Sequence, residues 1–151
     1  VGEITTLTEQ LQQAGSFGID TSVFIYAFER HPTYGPVAKS IFHTLQAGHC
    51  EGIVSTLALG EILTGVKKTQ NWEMVQRYRE VFRQFPNLSV CDADWLVMEQ
   101  MSNLRAKYGL PTPDAIHLGT ALVHGVETFV TNDARLKHLA EIDVLVLADF
   151  A

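Results

Sequence analysis

The chain is short of cysteine, of long apolar runs and of positive charge, and each shortage removes a class of protein. Only two cysteines, Cys50 and Cys91, occur in 151 residues, and their separation fits neither a metal knuckle nor a redox pair. The expectation is two buried free thiols in a reducing cytoplasm, with a disulfide between them as the alternative. No apolar run approaches the roughly 18–20 residues that a bilayer-spanning helix needs. Residues 1–6 carry neither a basic nor an apolar stretch, so no export signal is visible. The formal charge of −6 argues against indiscriminate coating of nucleic acid, because nonspecific binding to phosphate is electrostatic. It still leaves room for a nucleic-acid enzyme, since two divalent ions in an acidic pocket would leave the remaining surface near neutral. Repeats, low-complexity tracts and linkers are absent, and His31, His43, His49, His124 and His138 show no metal-ligand spacing.

What remains is a soluble globular composition, 46% apolar and 19% charged. The length suits one domain with a real core. Residues 1–151 therefore read as a single domain, with 1–15 as an N-terminal extension holding a short helix at 8–14. A buried strand then ends on Asp20, and a helix follows over 23–29. Pro36 suits the first turn of a helix whose stripe (Val37, Ile41, Leu45) runs to Gly48. A strand at 50–55 feeds a helix capped by Ser55 or Thr56. Its apolar side holds Leu57, Ala58, Leu59, Ile62, Leu63 and Val66, and Glu61 lies opposite.

The pattern continues with an amphipathic helix over 71–84 (Trp72, Val75, Tyr78, Phe82) and a strand at 88–91. Asp92 is expected to cap a helix over 93–108 that Gly109 ends. Thr112, Pro113 and Asp114 read as cap, first and second residues of a helix running to 124. A strand at 127–130 leads through Thr131-Asn132-Asp133 into a short helix, and a last strand covers 143–147. Short apolar strands alternating with helices predict an α/β fold, a parallel sheet covered on both faces.

Four carboxylates stand at strand ends or helix starts: Asp20, Glu61, Asp114 and Asp133. In open α/β sheets, ligands collect at the carboxyl edge, where such positions meet. Taken alone, each has an ordinary explanation. Asp114 and Asp133 complement helix dipoles by roughly 0.3–1 kcal/mol, and Glu61 suits a solvated helix side. Asp20, between Ile19 and Val23, is expected to be partly buried, and a buried carboxylate needs a partner or a metal.

The set Gly-Ile-Asp-Thr-Ser-Val-Phe at 18–24, Leu-Gly-Glu-Ile-Leu at 59–63, Pro-Thr-Pro-Asp-Ala-Ile-His-Leu-Gly-Thr-Ala at 111–121 and Val-Thr-Asn-Asp at 130–133 resembles the PIN-domain family, which includes the VapC-like ribonuclease toxins. The resemblance runs in order from about residue 17 to 147. It implies a three-layer α/β/α domain with a five-stranded parallel sheet. By motif match, Asp20, Glu61, Asp114 and Asp133 correspond to the family's four acids, with Thr21, Ser22, Thr131 and Asn132 lining the pocket as hydrogen-bonding partners. It implies further a metal-dependent endoribonuclease acting on RNA, held by a small antitoxin and forming a homodimer in the cytoplasm.

Physics explains why such a pocket needs cations. Two carboxylates roughly 6 Å apart repel by about 3 kcal/mol at an effective dielectric near 20. Six such pairs amount to something on the order of 15 kcal/mol, which rivals the stability of a whole domain. All-oxygen ligands favour Mg²⁺ or Mn²⁺ over zinc. One or two such ions would activate a water and stabilise the leaving oxygen of a phosphodiester.

Bystanders fill out the picture. His117 stands one turn from Asp114, where many relatives carry an aliphatic residue; it is a phosphate contact, a residue in the outer shell of the site, or a packed, hydrogen-bonded histidine. Arg105 and Lys107 are the candidate phosphate contacts, although basic clusters are commonly solvated helix faces. Trp72, Trp95 and the other aromatics are expected mostly in the core, with base stacking as the alternative. Two other functions compete: a catalytically silent module of the same fold that binds RNA or protein, and an aspartyl phosphotransfer enzyme. The latter wants an acid two residues after Asp20, where Ser22 stands.

Overall fold

The computed structural model describes residues 2–151. Its five strands are β1 (Ser16–Ile19), β2 (Glu51–Ser55), β3 (Leu88–Cys91), β4 (Thr128–Thr131) and β5 (Asp143–Val146). Every adjacent pair is parallel, and the order is β3-β2-β1-β4-β5. Among the described residues, seven helices cover the two faces: α1 (Gly2–Ala14), α2 (Thr21–Phe28), α3 (Gly35–Gln46), α4 (Thr56–Lys68), α5 (Trp72–Gln84), α6 (Trp95–Tyr108) and α7 (Thr112–Val123). The result is the expected three-layer α/β/α arrangement.

Alternation along each strand sorts the core into two halves. Phe17 and Ile19 of β1, Val54 of β2 and Val130 of β4 join a cluster with buried residues of α1 to α5, among them Leu7, Leu11, Phe24, Ile41, Ile62 and Tyr78. Phe129 of β4 points the other way, into a cluster with Leu104 of α6 and Ala115, Leu118 and Ala121 of α7. Gly18 faces that second layer. A Cβ there would lie 2.7 Å from the Phe129 ring and 2.9 Å from the Ala121 methyl. Only glycine lets α7 lie this close to β1, and α7 is the helix that carries Asp114 and His117.

Chain order reverses between β1 and β4, so the sheet has its crevice there, at the carboxyl ends of those two strands. Asp20 follows β1 and Asp133 follows β4 at this crevice.

Several local expectations shift. The first helix starts at Gly2, not near residue 8, and it anchors through Leu7 and Leu11, both fully buried. Asp94 rather than Asp92 caps α6, accepting from the Val97 amide at 3.1 Å. Gly109 ends that helix in the left-handed region, at φ +67°, as a C-terminal glycine should. Thr112 is the first residue of α7 and not its cap; Pro111 holds that position, without a side-chain bond. Trp72 and Trp95 are not core residues: they are 59% and 79% exposed, because both sit at helix starts whose buried face passes through other positions. Both cysteines are free; Cys50 is buried and Cys91 only half-buried. Burial pushes the Cys50 thiol up to about 11. Among the described residues, no helix is long and apolar enough to cross a membrane.

Candidate functional site

The β1–α2 junction supplies the centre. Asp20 is extended (φ −77°, ψ 155°) and caps α2, its Oδ1 accepting from the Thr21 amide at 2.8 Å. Its other oxygen, Oδ2, accepts from the Thr131 hydroxyl at 2.7 Å. Thr131, 1% exposed at the end of β4, accepts in turn from the Asp133 amide at 3.1 Å. One buried hydroxyl thus ties the first acid to the turn bearing the fourth.

Asp133 caps a short 3-10 turn over Ala134–His138. Its carboxylate is gripped by Arg135 through Nε, at 2.9 and 3.2 Å, and through Nη2, at 2.7 Å. That guanidinium holds the Asp133 carboxyl below the usual carboxylate range. Asp114 lies in the first turn of α7, half-buried. Burial pushes its carboxyl up, and the charges of Asp20 and Asp133 push it further, partly offset by His117 and Arg135. A small cleft of about 110 Å³ is lined by Pro111, Asp114, Asp133 and Arg135 among others.

Glu61 has two partners of its own, from α2 and α7. Its Oε1 accepts from the Thr21 hydroxyl at 2.8 Å and lies 2.6 Å from His117 Nε2. The Thr21 hydroxyl and His117 Nε2 are 3.1 Å apart, so the three groups form a closed triangle. His117 is 4% exposed, and its Nδ1 is buried with no hydrogen-bond partner. This placement turns the ring toward Glu61 and gives it no open face for a phosphate. Adjacent residues Asp20 and Thr21 therefore split the site: one reaches β4 and its turn, the other reaches α4 and α7.

The remaining expected residues divide. Asn132 faces away from the acids; its side chain accepts from the Ala148 amide at 2.9 Å and lies 3.4 Å from the Tyr26 hydroxyl. Ser22 follows Thr21 in the first turn of α2, half-buried. Arg105 donates to the Leu110 carbonyl at 3.1 Å, bracing the turn before α7. Lys107 pairs with Glu141 at 3.3 Å on the surface. Neither cation converges on the acids. Among the described residues Arg135, gripping Asp133, is the cation that does. The signal for it was Asp133 and Arg135 two residues apart in a capping turn.

The donor chemistry of Asp20, Glu61, Asp114 and Asp133 is all carboxylate oxygen, which fits a hard divalent cation. As the side chains stand, however, no three His, Cys, Asp or Glu groups among the described residues are placed to hold a metal ion. Three of the four acids have other side-chain partners: Asp20 the Thr131 hydroxyl, Glu61 the pair Thr21 and His117, and Asp133 the Arg135 guanidinium. The Arg135–Asp133 pair is solvent-exposed on the arginine side, where water screens it and makes it readily exchanged. A larger cavity, about 730 Å³, opens at the other end of the sheet beside Ser16, Thr128 and Asp143. It gathers no comparable set of acids around a strand's carboxyl end, and the chemistry is assigned to the β1–β4 crevice instead.

Comparison with known proteins agrees with this fold. The PIN-domain family model matches residues 18–142, and the chain belongs to that family. No curated protein sequence matches it. Among solved structures, VapBC2 from Rickettsia felis bound to a promoter DNA fragment is similar, with TM-score 0.70 and 20% identity, covering 87% of this chain and 98% of that one. A toxin–antitoxin complex from Klebsiella pneumoniae is similar at TM-score 0.67 and 23% identity, covering 87% and 97%. FitAcB from Neisseria gonorrhoeae is similar at TM-score 0.67 and 18% identity, covering 88% and 98%.

Proposed function

We propose that this PIN-domain chain is a divalent-metal-dependent endoribonuclease, the toxin of a toxin–antitoxin pair. In this reading residues 1–151 act as one domain, α1 being an N-terminal extension that packs into its core, and the chain works as a cytoplasmic homodimer. The observation that carries the nuclease reading is the gathering of acids at the β1–β4 crevice, where Thr131 ties Asp20 to the turn bearing Asp133, and Asp133 and Asp114 line one cleft. Concentrated negative charge at a sheet's carboxyl edge is costly to the fold and has a use only where cations or protons are taken up. The similar toxin–antitoxin complex supports a small antitoxin as the partner.

Asp20 and Asp114 would hold Mg²⁺ or Mn²⁺ centrally, with Glu61 and Asp133 completing the site or orienting water. Such an ion supplies charge neutralisation and an activated water for attack on phosphorus. The chain's own residues do the positioning. Thr131 fixes one Asp20 oxygen and the α2 amide fixes the other, so this carboxylate is preorganised. Asp133 would exchange its bond to Arg135, which frees a guanidinium beside the cleft for a phosphate oxygen.

A second reading is a silent module of the same fold that binds RNA or protein. It is favoured by the engagement of Asp133 with Arg135. Incubation with a mixed-sequence RNA separates the two. The nuclease reading expects cleavage with Mn²⁺ or Mg²⁺ that EDTA stops and Asp20→Asn abolishes. A folded wild type that binds RNA without cutting it would establish the silent module.

A further inference from the structure

We infer that His117 is a positioning residue: together with Thr21, it holds Glu61 so that one carboxylate oxygen is fixed and the other is presented to the crevice. The inference rests on the nuclease reading and adds to it a role for a side chain that contacts no substrate.

The geometry allows little else. The Glu61 carboxylate can only accept, and both neighbours meet the same oxygen, Oε1, at 2.8 Å and 2.6 Å. The Thr21 hydroxyl has one hydrogen, which it gives to Glu61. His117 must therefore bring its own hydrogen on Nε2. Nδ1 agrees, because a hydrogen there would be buried with no acceptor. The imidazole is thus fixed as the tautomer whose donor faces Glu61. Oε2 takes part in neither bond. Glu61 is 36% exposed at the side chain, so without these partners its three side-chain torsions would be free to carry it into water.

The three residues come from α2, α4 and α7. Thr21 adjoins Asp20, and His117 stands one turn after Asp114. The link therefore sets the distance between the helix starts that bear the two central acids and the helix that bears Glu61. A partner of this kind typically changes ion affinity or activity by about 10–100-fold when removed.

The test compares His117→Gln, whose amide can still donate to Oε1, with His117→Leu, which cannot. Each is made in the wild type and in a Glu61→Ala background, which removes the acceptor. Readouts are calorimetric Mn²⁺ affinity, kcat and KM on a mixed-sequence RNA, thermal midpoint, and the imidazole nitrogen shifts of the metal-free protein. In the wild type, a protonated Nε2 whose shift moves in Glu61→Ala is expected. His117→Leu should weaken Mn²⁺ binding and lower kcat by about tenfold or more, with KM little changed. His117→Gln should recover most of both. In the Glu61→Ala background, His117→Leu should add almost nothing to the loss of Mn²⁺ affinity, since the pair acts as a unit.

The inference is overturned if Nδ1 carries the proton, or if His117→Leu binds Mn²⁺ and cleaves like the wild type. It is also overturned if the loss persists undiminished without Glu61, which would make His117 a packing residue. A wild type that neither binds Mn²⁺ nor cuts RNA overturns the nuclease reading itself, and the role of His117 with it.

Discussion

Thr131→Val probes the connection between the two ends of the site. Valine has nearly the shape of threonine, so packing at this 1% exposed position is conserved while the hydroxyl disappears. Two bonds go with it: the 2.7 Å donation to Asp20 Oδ2 and the 3.1 Å acceptance from the Asp133 amide. A hydrogen bond to a charged group contributes about 1.5–3 kcal/mol and a neutral one about 1. Some of this returns, because Asp20 is only half-buried and water can replace part of the lost donation, and because a buried hydroxyl no longer needs solvating. The net expectation is a destabilisation of about 1.5–3 kcal/mol. For a chain of this size that corresponds to a thermal midpoint lower by about 5–10 °C. Scanning calorimetry without divalent ions reads it, and urea unfolding with an unchanged m-value checks that the denatured state is not the cause. Thr131→Ser, which keeps the hydroxyl, should recover most of the loss. A Thr131→Val midpoint within about 1 °C of wild type, or a serine variant as damaged as valine, would refute the bridging role.

Other expectations concern the extension and the charge. Leu11→Ala should cost about 2–5 kcal/mol, because Leu11 is fully buried; a loss under 1 kcal/mol in urea unfolding would mean that α1 is dispensable to the core. Asp114→Asn should raise the thermal midpoint of metal-free protein at pH 7. The folded carboxyl sits above its ordinary value of 3.8, so the folded state binds its proton more tightly than the unfolded chain does. Asp114 therefore removes stability as pH rises from that ordinary value through the raised one. Melts of both proteins should converge at the acid end of this window; a destabilised Asp114→Asn at pH 7 would contradict the sign. Asp133 has the opposite sign: its stabilisation, present at neutral pH, should fade as pH falls through its lowered value.

The sheet was legible because each strand is a short apolar run bounded by a turn signal, and Asp20 was legible because a carboxylate ends such a run. Boundaries were less so. Thr5 and Thr6 are poor helix formers, and they concealed a helix that starts at Gly2; Leu7 and Leu11, four apart and fully buried, show the packing that overrides local propensity. Asp92 and Asp94 are equally good caps by residue type, and only the bond to the Val97 amide distinguishes them. Periodicity placed Trp72 and Trp95 on helices correctly but could not say that the first turn projects past the core. The Glu61–His117 link joins residues 56 apart in sequence. No spacing rule reaches that far, because the contact depends on how α4 and α7 pack rather than on either helix alone.

The most direct test of the central claim is a calorimetric Mn²⁺ titration of the wild type beside Asp20→Asn, with RNA cleavage followed on the same samples. One crevice in which Asp20 and Asp114 share an ion predicts saturable binding and Mn²⁺-dependent cutting in the wild type, with both lost in a variant that melts as a folded protein. Equal binding and equal cutting in Asp20→Asn would contradict it.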